Sequence, residues 1–186
     1  MKIDHTTELN ISDFSDLALE AGFTYAAPLA MDALVFRPEV RSMCAADRCR
    51  SYGKSWSCPP AAGTLEYAAE RAGRYCRGII VQTVGDLRDD FDMEAIRRIA
   101  DQHASCFDTL VRQVRMLKPQ CLPMGAGACR RCRRCTYPDR PCRHPDRLWP
   151  SMEAYGLLVS DVCTRSGLSY NYGSGTMSFT SCILID

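Results

Sequence analysis

The 186-residue sequence predicts an α/β chain, an α+β sandwich, carrying a cysteine-rich, loop-built metal-cluster lobe. Three observations carry that prediction. Runs of strand length, "RGIIVQTV" and "TMSFTSCILID", stand apart from amphipathic stretches of helical period. A long apolar stripe over residues 90–118 recurs at three- and four-residue intervals. Finally, twelve cysteines are present, and most crowd into two Gly- or Pro-bearing segments that cannot build an apolar core of their own. Length suits a single domain over 1–186, with the lobe drawn from loops 43–64 and 127–150 and set on an α/β body.

Along the chain, "DFSDLALEAG" (13–22) reads as a short amphipathic helix stopped by Gly22. "FTYAAPLAMDALVF" (23–36) mixes apolar and aromatic residues around Pro28 and predicts a strand near 32–37. After the first cysteine loop, Thr64 caps a helix that begins at Leu65 and runs to about Tyr75. "RGIIVQTV" is β-branched and of buried-strand length. The 90–118 helix presents Met93, Ile96, Ala100, His103, Phe107, Leu110, Val111, Val114 and Leu117 on one face and ends before Pro119. "QCLPMGAG" is a short strand or turn leading into the second cysteine loop. "SMEAYGLLVSDVCTRSG" (151–167) predicts one helix capped by Ser151, with Glu153 in its first turn. A last strand closes the chain.

Net charge of +1 makes no general electrostatic bid for nucleic acid or membrane. The apolar runs are too short to span a bilayer, and "MKIDHTTELN" lacks the basic-then-apolar pattern of a leader, so the expected location is cytoplasmic. In such a chain clustered cysteines point to metal or redox chemistry rather than to disulfides. Cys44, Cys49 and Cys58 form one cluster; Cys129, Cys132, Cys135 and Cys142 form the other. Cys76, Cys106, Cys121, Cys163 and Cys182 lie scattered in apolar or helical sequence and read as buried packing residues.

"CRRCRRC" is C-x2-C-x2-C, the tight loop that gives three thiolates to one face of a [4Fe-4S] cubane. The fourth thiolate must come from farther away, from Cys142 or from Cys58 with its following Pro59-Pro60. Zinc prefers two separated pairs, so the overlapping triplet suits it less, although Cys142 and His144 offer further ligands. The two clusters together supply nearly enough thiolates for two cubanes. The missing ligand is Cys121, Cys76 or a non-cysteine group, or is absent, leaving one iron open; alternatively there is a single cluster. Arg130, Arg131, Arg133, Arg134, Arg140, Arg143 and Arg147 surround the second set, either offsetting the cluster's negative charge or forming a basic rim for an acidic redox partner protein or an anionic small molecule. Nucleic acid is disfavoured for want of interleaved aromatics. Trp56 and Trp149 beside the loops read as water shields, His103 as a satisfied core histidine, and His5 as a terminal residue.

"CRSYGKSWSCPP", "GACRRCRRC" and "PCRHPDRLWPSMEAYG", in that order, resemble the prokaryotic family of predicted metal-binding proteins known as domain of unknown function 2284. The resemblance spans about residues 40–185. It implies metal at Cys49, Cys58, Cys129, Cys132, Cys135 and Cys142, with Cys44 beside them, and it implies no reaction. Leu157 and Leu158 depart mildly from the isoleucine-aspartate pair expected after the glycine. The resulting expectation is an iron–sulfur protein with one or two [4Fe-4S] clusters, engaged in electron transfer or redox support of a partner enzyme. Two alternatives stand beside it: an enzyme whose open iron binds substrate as Lewis acid or sulfur acceptor, and a zinc-stapled interaction module.

Overall fold

In the computed structural model, which describes residues 10–186, the body is a single antiparallel sheet with helices on both faces. Its strands are β1 (Tyr25–Pro28), β2 (Arg77–Asp86), β3 (Leu122–Met124) and β4 (Thr176–Ile185), in the spatial order β1-β2-β4-β3. β2 and β4 pair along their whole lengths, from Arg77 opposite Ile185 to Asp86 opposite Thr176. Every pairing is antiparallel, so the class is α+β.

The paired inner stretches of β2 and β4, residues 79–81 and 182–185, are unbroken apolar runs because each face of the sheet is covered there. Side chains alternate across a strand. Ile79, Val81, Ile183 and Ile185 therefore meet Phe14 and Ala18 of α1 (Ile11–Glu20) and Phe107, Leu110, Val111 and Val114 of a long helix. Ile80, Cys182 and Leu184 face the other way, onto Ala68, Ala72, Met152, Tyr155, Leu157 and Val162. The chain order assigns α2 to Pro38–Ala45, α3 to Leu65–Ala72, α4 to Met93–Leu117 and α5 to Val159–Arg165. The expected α4 stripe is buried from His103 through Phe107, Leu110 and Val111 to Val114; at its ends Met93 and Leu117 are exposed, and Ile99 rather than Ile96 is buried. Asp92 caps it, accepting from Ala95 N–H at 3.1 Å, and Thr64 caps α3 through Tyr67 N–H at 3.2 Å.

Three local expectations need correction. The strand lies at 25–28; residues 31–33 form a 3₁₀ turn, and Phe36 makes only an isolated bridge to Leu157. Pro28, which lacks an amide proton, ends the strand there. Cys44 belongs to α2, which begins on Pro38, a residue preset for a first helical turn. Residues 151–167 are not one helix. Glu153–Tyr155 is a 3₁₀ turn, Gly156 turns left-handed at φ 83°, and α5 starts anew at Val159. A Cβ at Gly156 would stand 2.4 Å from Leu65 Cδ2, so α3 packs where only glycine fits. Ser151 still caps its turn, its hydroxyl accepting from Ala154 N–H at 3.1 Å. His5 lies outside the described residues.

Candidate metal centre

The first cysteine segment leaves α2 through two left-handed residues, Asp47 at φ 49° and Arg50 at φ 58°. The Asp47 carboxylate holds this bend, accepting from Tyr52 N–H at 2.8 Å and from Lys54 Nζ at 3.0 Å. Beyond Cys49 the chain turns inward, burying Ser55, Ser57 and Cys58. The two hydroxyls share a hydrogen bond at 3.0 Å, and the Ser57 hydroxyl lies 3.8 Å from Cys58 Sγ.

Ser57 also joins the two loops: its Oγ accepts from Cys129 N–H at 3.0 Å. Trp56 Nε1–H donates to Arg140 O at 3.1 Å, and its ring stands edge-on to Tyr137 at 5.0 Å. Trp56 therefore clasps the second loop. Between the loops is a cavity of about 200 Å³. Cys129, Cys132, Cys135 and Cys142 all line it, with His144 and the cations Arg50, Lys54, Arg131, Arg133, Arg143 and Arg147. No carboxylate does.

Thiol electrostatics differ from wall to wall. Desolvation pushes Cys129 up, with the thiols of Cys142 and Cys132 adding to the rise and Arg131 opposing it. Desolvation also raises Cys58, and Cys49 and Cys129 add to that rise. Cys44 is raised by burial first, then by Glu153, Cys49 and Cys58, against Arg41. Cys135 goes the other way. Burial opposes its ionisation, but hydrogen bonds from the backbone of Tyr137, Trp56 and Thr136 and from the Ser55 side chain favour the thiolate and lower the pKa. Amides aimed at a thiolate are the outer-shell contacts that tune a metal–sulfur site.

Three of the loop arginines also tie the loop to the body. Arg131 grips Asp108 of α4 with both terminal nitrogens, and Arg147 binds the same carboxylate. Arg130 pairs with Asp101 at 2.5 Å. Asp101 and Asp108 stand two turns apart on one face of α4. Desolvation alone would raise the Asp108 pKa, yet the two guanidiniums hold it below the usual carboxylate range. Trp149 adds a wedge, with Arg131 stacked 4.9 Å above its ring and Phe107 at 5.8 Å. Arg133, Arg134, Arg140 and Arg143 are exposed and make no ion pair among the described residues.

A second cavity, about 500 Å³, lies between the Gly125–Arg131 segment, α4 and the sheet. Cys49 and Cys129 line one side; Phe107, Trp149, Phe179, His103 and Ser181 line the other. His103 is satisfied, with Nδ1 3.0 Å from Thr83 Oγ1 and Nε2 2.7 Å from Ser181 Oγ. Burial pushes its pKa down to about 3, so the ring is neutral.

All twelve cysteines are free thiols. The structure thus draws together the four cysteines of the second loop and sets the first three against the same junction, with Cys44 and Cys58 outside both cavities. Among the described residues, no three Cys, His, Asp or Glu side chains stand in an arrangement that would hold a metal ion. Of the scattered cysteines, Cys121, Cys163 and Cys182 are buried as expected; Cys106 is half-buried and Cys76 exposed, so Cys76 is no packing residue. Sequence spacing missed Ser55, Ser57, Asp101 and Asp108. The string "SWSC", hydroxyls alternating with an aromatic and a thiol, was the available signal for the serines. Two acids seven apart on a helix were the signal for the aspartates. No helix among the described residues is long and apolar enough to cross a membrane.

Residues 27–185 match the family model described as predicted metal-binding protein (DUF2284), and the chain belongs to that family. No curated protein and no solved structure matches it.

Proposed function

For this member of a predicted metal-binding family, we propose iron–sulfur cluster binding in the service of electron transfer. Cys129, Cys132, Cys135 and Cys142 hold one [4Fe-4S] cluster; Cys44, Cys49 and Cys58 contribute to a second. Loops 43–64 and 127–150 then form one cluster lobe on the α+β body, in a cytoplasmic protein. The observation that carries this reading is the cavity lined by four cysteines and six cations without a carboxylate. A four-thiolate cubane is anionic, and such a shell stabilises it. Its volume of about 200 Å³ exceeds several times the ~30 Å³ of a liquid water, more than one ion needs.

Zinc fits the same walls less well. Tetrahedral Zn–S bonds of about 2.3 Å draw four sulfurs to within about 4 Å of each other, whereas cubane thiolates each bind a different iron and stand wider. When bound, the cluster supplies a one-electron redox centre. The chain supplies the rest: the Cys135 thiolate is held by amide donors, Trp56 and Tyr137 close over the loop, and the exposed Arg133, Arg134, Arg140 and Arg143 offer a face to an acidic redox partner.

A second reading has its own support. The 500 Å³ cavity has the size of a small-molecule site, an aromatic floor and two ligand cysteines in its wall, as an enzyme with a substrate beside its cluster requires. Anaerobic purification followed by iron, sulfide and zinc analysis tests both readings. About eight irons and eight sulfides per chain, with absorption near 400 nm that bleaches on reduction, is the expected result. A colourless protein with one zinc would overturn both and leave a structural module.

A further inference from the structure

We propose that the cavity between α4, the sheet and the Gly125–Arg131 segment binds a planar aromatic acid, its ring inward and its carboxylate at the arginine-bearing mouth. The inference rests on the second reading above, whose substrate it names by class, and it requires no contact between that substrate and a metal.

Small residues make the room. Ala100 and Ala104 stand one turn apart on α4 and line the cavity where longer side chains would fill it. Across from them, a Cβ at Gly127 would meet nothing within 4 Å. Gly125 acts differently: a Cβ there would press on Trp149 Cδ1 at 3.0 Å, so its absence lets the indole close as a wall. Phe107, Trp149 and Phe179 give the interior aromatic surfaces that suit a flat ring. Phe107 and Trp149 stand edge to face at 5.8 Å, and Phe179 is only half-buried beside His103.

The two ends of the cavity differ in charge. At the floor the polar groups satisfy one another, His103 bonding Thr83 through Nδ1 and Ser181 through Nε2. No charged side chain lies among them, so an ionised group buried at that end would go uncompensated. At the mouth stand Arg130, Arg131 and Arg147 against Asp101 and Asp108, three cations to two carboxylates. Arg147 gives one terminal nitrogen to Asp108, and the rest of its guanidinium has no acceptor among the described residues. The amides of Ala126, Gly127 and Ala128, in a segment that turns left-handed at Gly127, likewise donate to no protein group among the described residues. Unpaired amides in such a turn and an open guanidinium edge are the donors that hold a carboxylate. An aromatic interior under a cationic mouth therefore selects a flat ring with one anionic end.

The test is isothermal titration calorimetry of the full chain, purified anaerobically, with 2-naphthoate, 2-naphthamide and octanoate, beside iron, sulfide and zinc analysis. 2-Naphthoate should saturate at one per chain, and the neutral amide and the aliphatic acid should each bind about tenfold more weakly. R147M should weaken 2-naphthoate about tenfold and leave 2-naphthamide unchanged. A104F fills the cavity from the exposed side of α4 and should abolish binding at wild-type metal content; if it fails to fold, A100L carries the same expectation. Absence of saturable 2-naphthoate binding would overturn the proposal. So would equal binding of the amide or of octanoate, or binding untouched by the cavity-filling variant. A protein that binds 2-naphthoate as described but holds zinc without sulfide would overturn the iron–sulfur reading and leave this site standing.

Discussion

The sheet and the cysteine loops are held by different physics. β2 and β4 run through a core where Ile79, Ile80, Val81, Ile183, Leu184 and Ile185 are all at 0% exposure. From residue 126 to 150, by contrast, no residue is buried, and only Pro145–Arg147 forms a helical turn. The body is stabilised by removing apolar surface from water, roughly 1.5–3 kcal/mol for each large side chain. The second loop has little of this term, and the first has it only around Cys58 and Ala62. Within the protein they depend on ion pairs to α4 and hydrogen bonds to Ser57 and Trp56, which offset little of the entropy of ordering so many residues. On the proposed reading a bound metal centre supplies the remaining order, since metal binding of this kind is folding free energy.

The contrast can be probed from either side. Leu184→Ala removes a fully buried side chain between the sheet and the Met152–Leu157 segment and should cost about 2–5 kcal/mol in denaturant melts, whether or not metal is bound. Equal stability of variant and wild type would mean that the sheet does not carry the body.

His103 gives a pH signature that belongs to the body alone. Its folded pKa of about 3 lies below the ordinary 6.5, so the unfolded chain binds the proton first as pH falls. Stability then declines from pH 6.5 towards 3, with a limiting slope of about 1.4 kcal/mol per pH unit. Urea melts at pH 7 and pH 5 should show wild type losing about 1–2 kcal/mol more than His103→Gln. Parallel losses would place the titration elsewhere.

At the joint between the regions, Asp108→Ala strands Arg131, whose side chain is only 19% exposed, and should cost about 1–3 kcal/mol. Limited proteolysis should find the new cleavage in 127–150 and none in the sheet. Cleavage within β2 or β4 would contradict a pin confined to the loop.

How much could be read in advance follows the same division. β2, β4 and α4 were legible because burial on a periodic element writes itself into local sequence, down to His103 on the apolar stripe. The 151–167 segment misled because its helical period continues through Gly156, while the break is imposed by Leu65 and Arg37 packing against it from afar. α2 was hidden inside "PEVRSMCAAD", which buries only Val40 and so shows almost no pattern apart from its leading proline. In the site, Cys129, Cys132 and Cys135, which their spacing groups as one triplet, line one cavity. What binds the loops to the body did not show. Asp108 meets Arg131 across 23 positions and Ser57 meets Cys129 across 72, and contacts between distant residues leave no periodic trace.

Hydrogen exchange on the anaerobically purified protein, before and after its metal is stripped, compares the two regions directly. Without metal, the amides of 43–64 and 127–150 should exchange within the dead time, while β2 and β4 keep their protection. Loops protected equally with and without metal, or a sheet that loses its protection along with them, would contradict a metal-ordered lobe on a self-sufficient body.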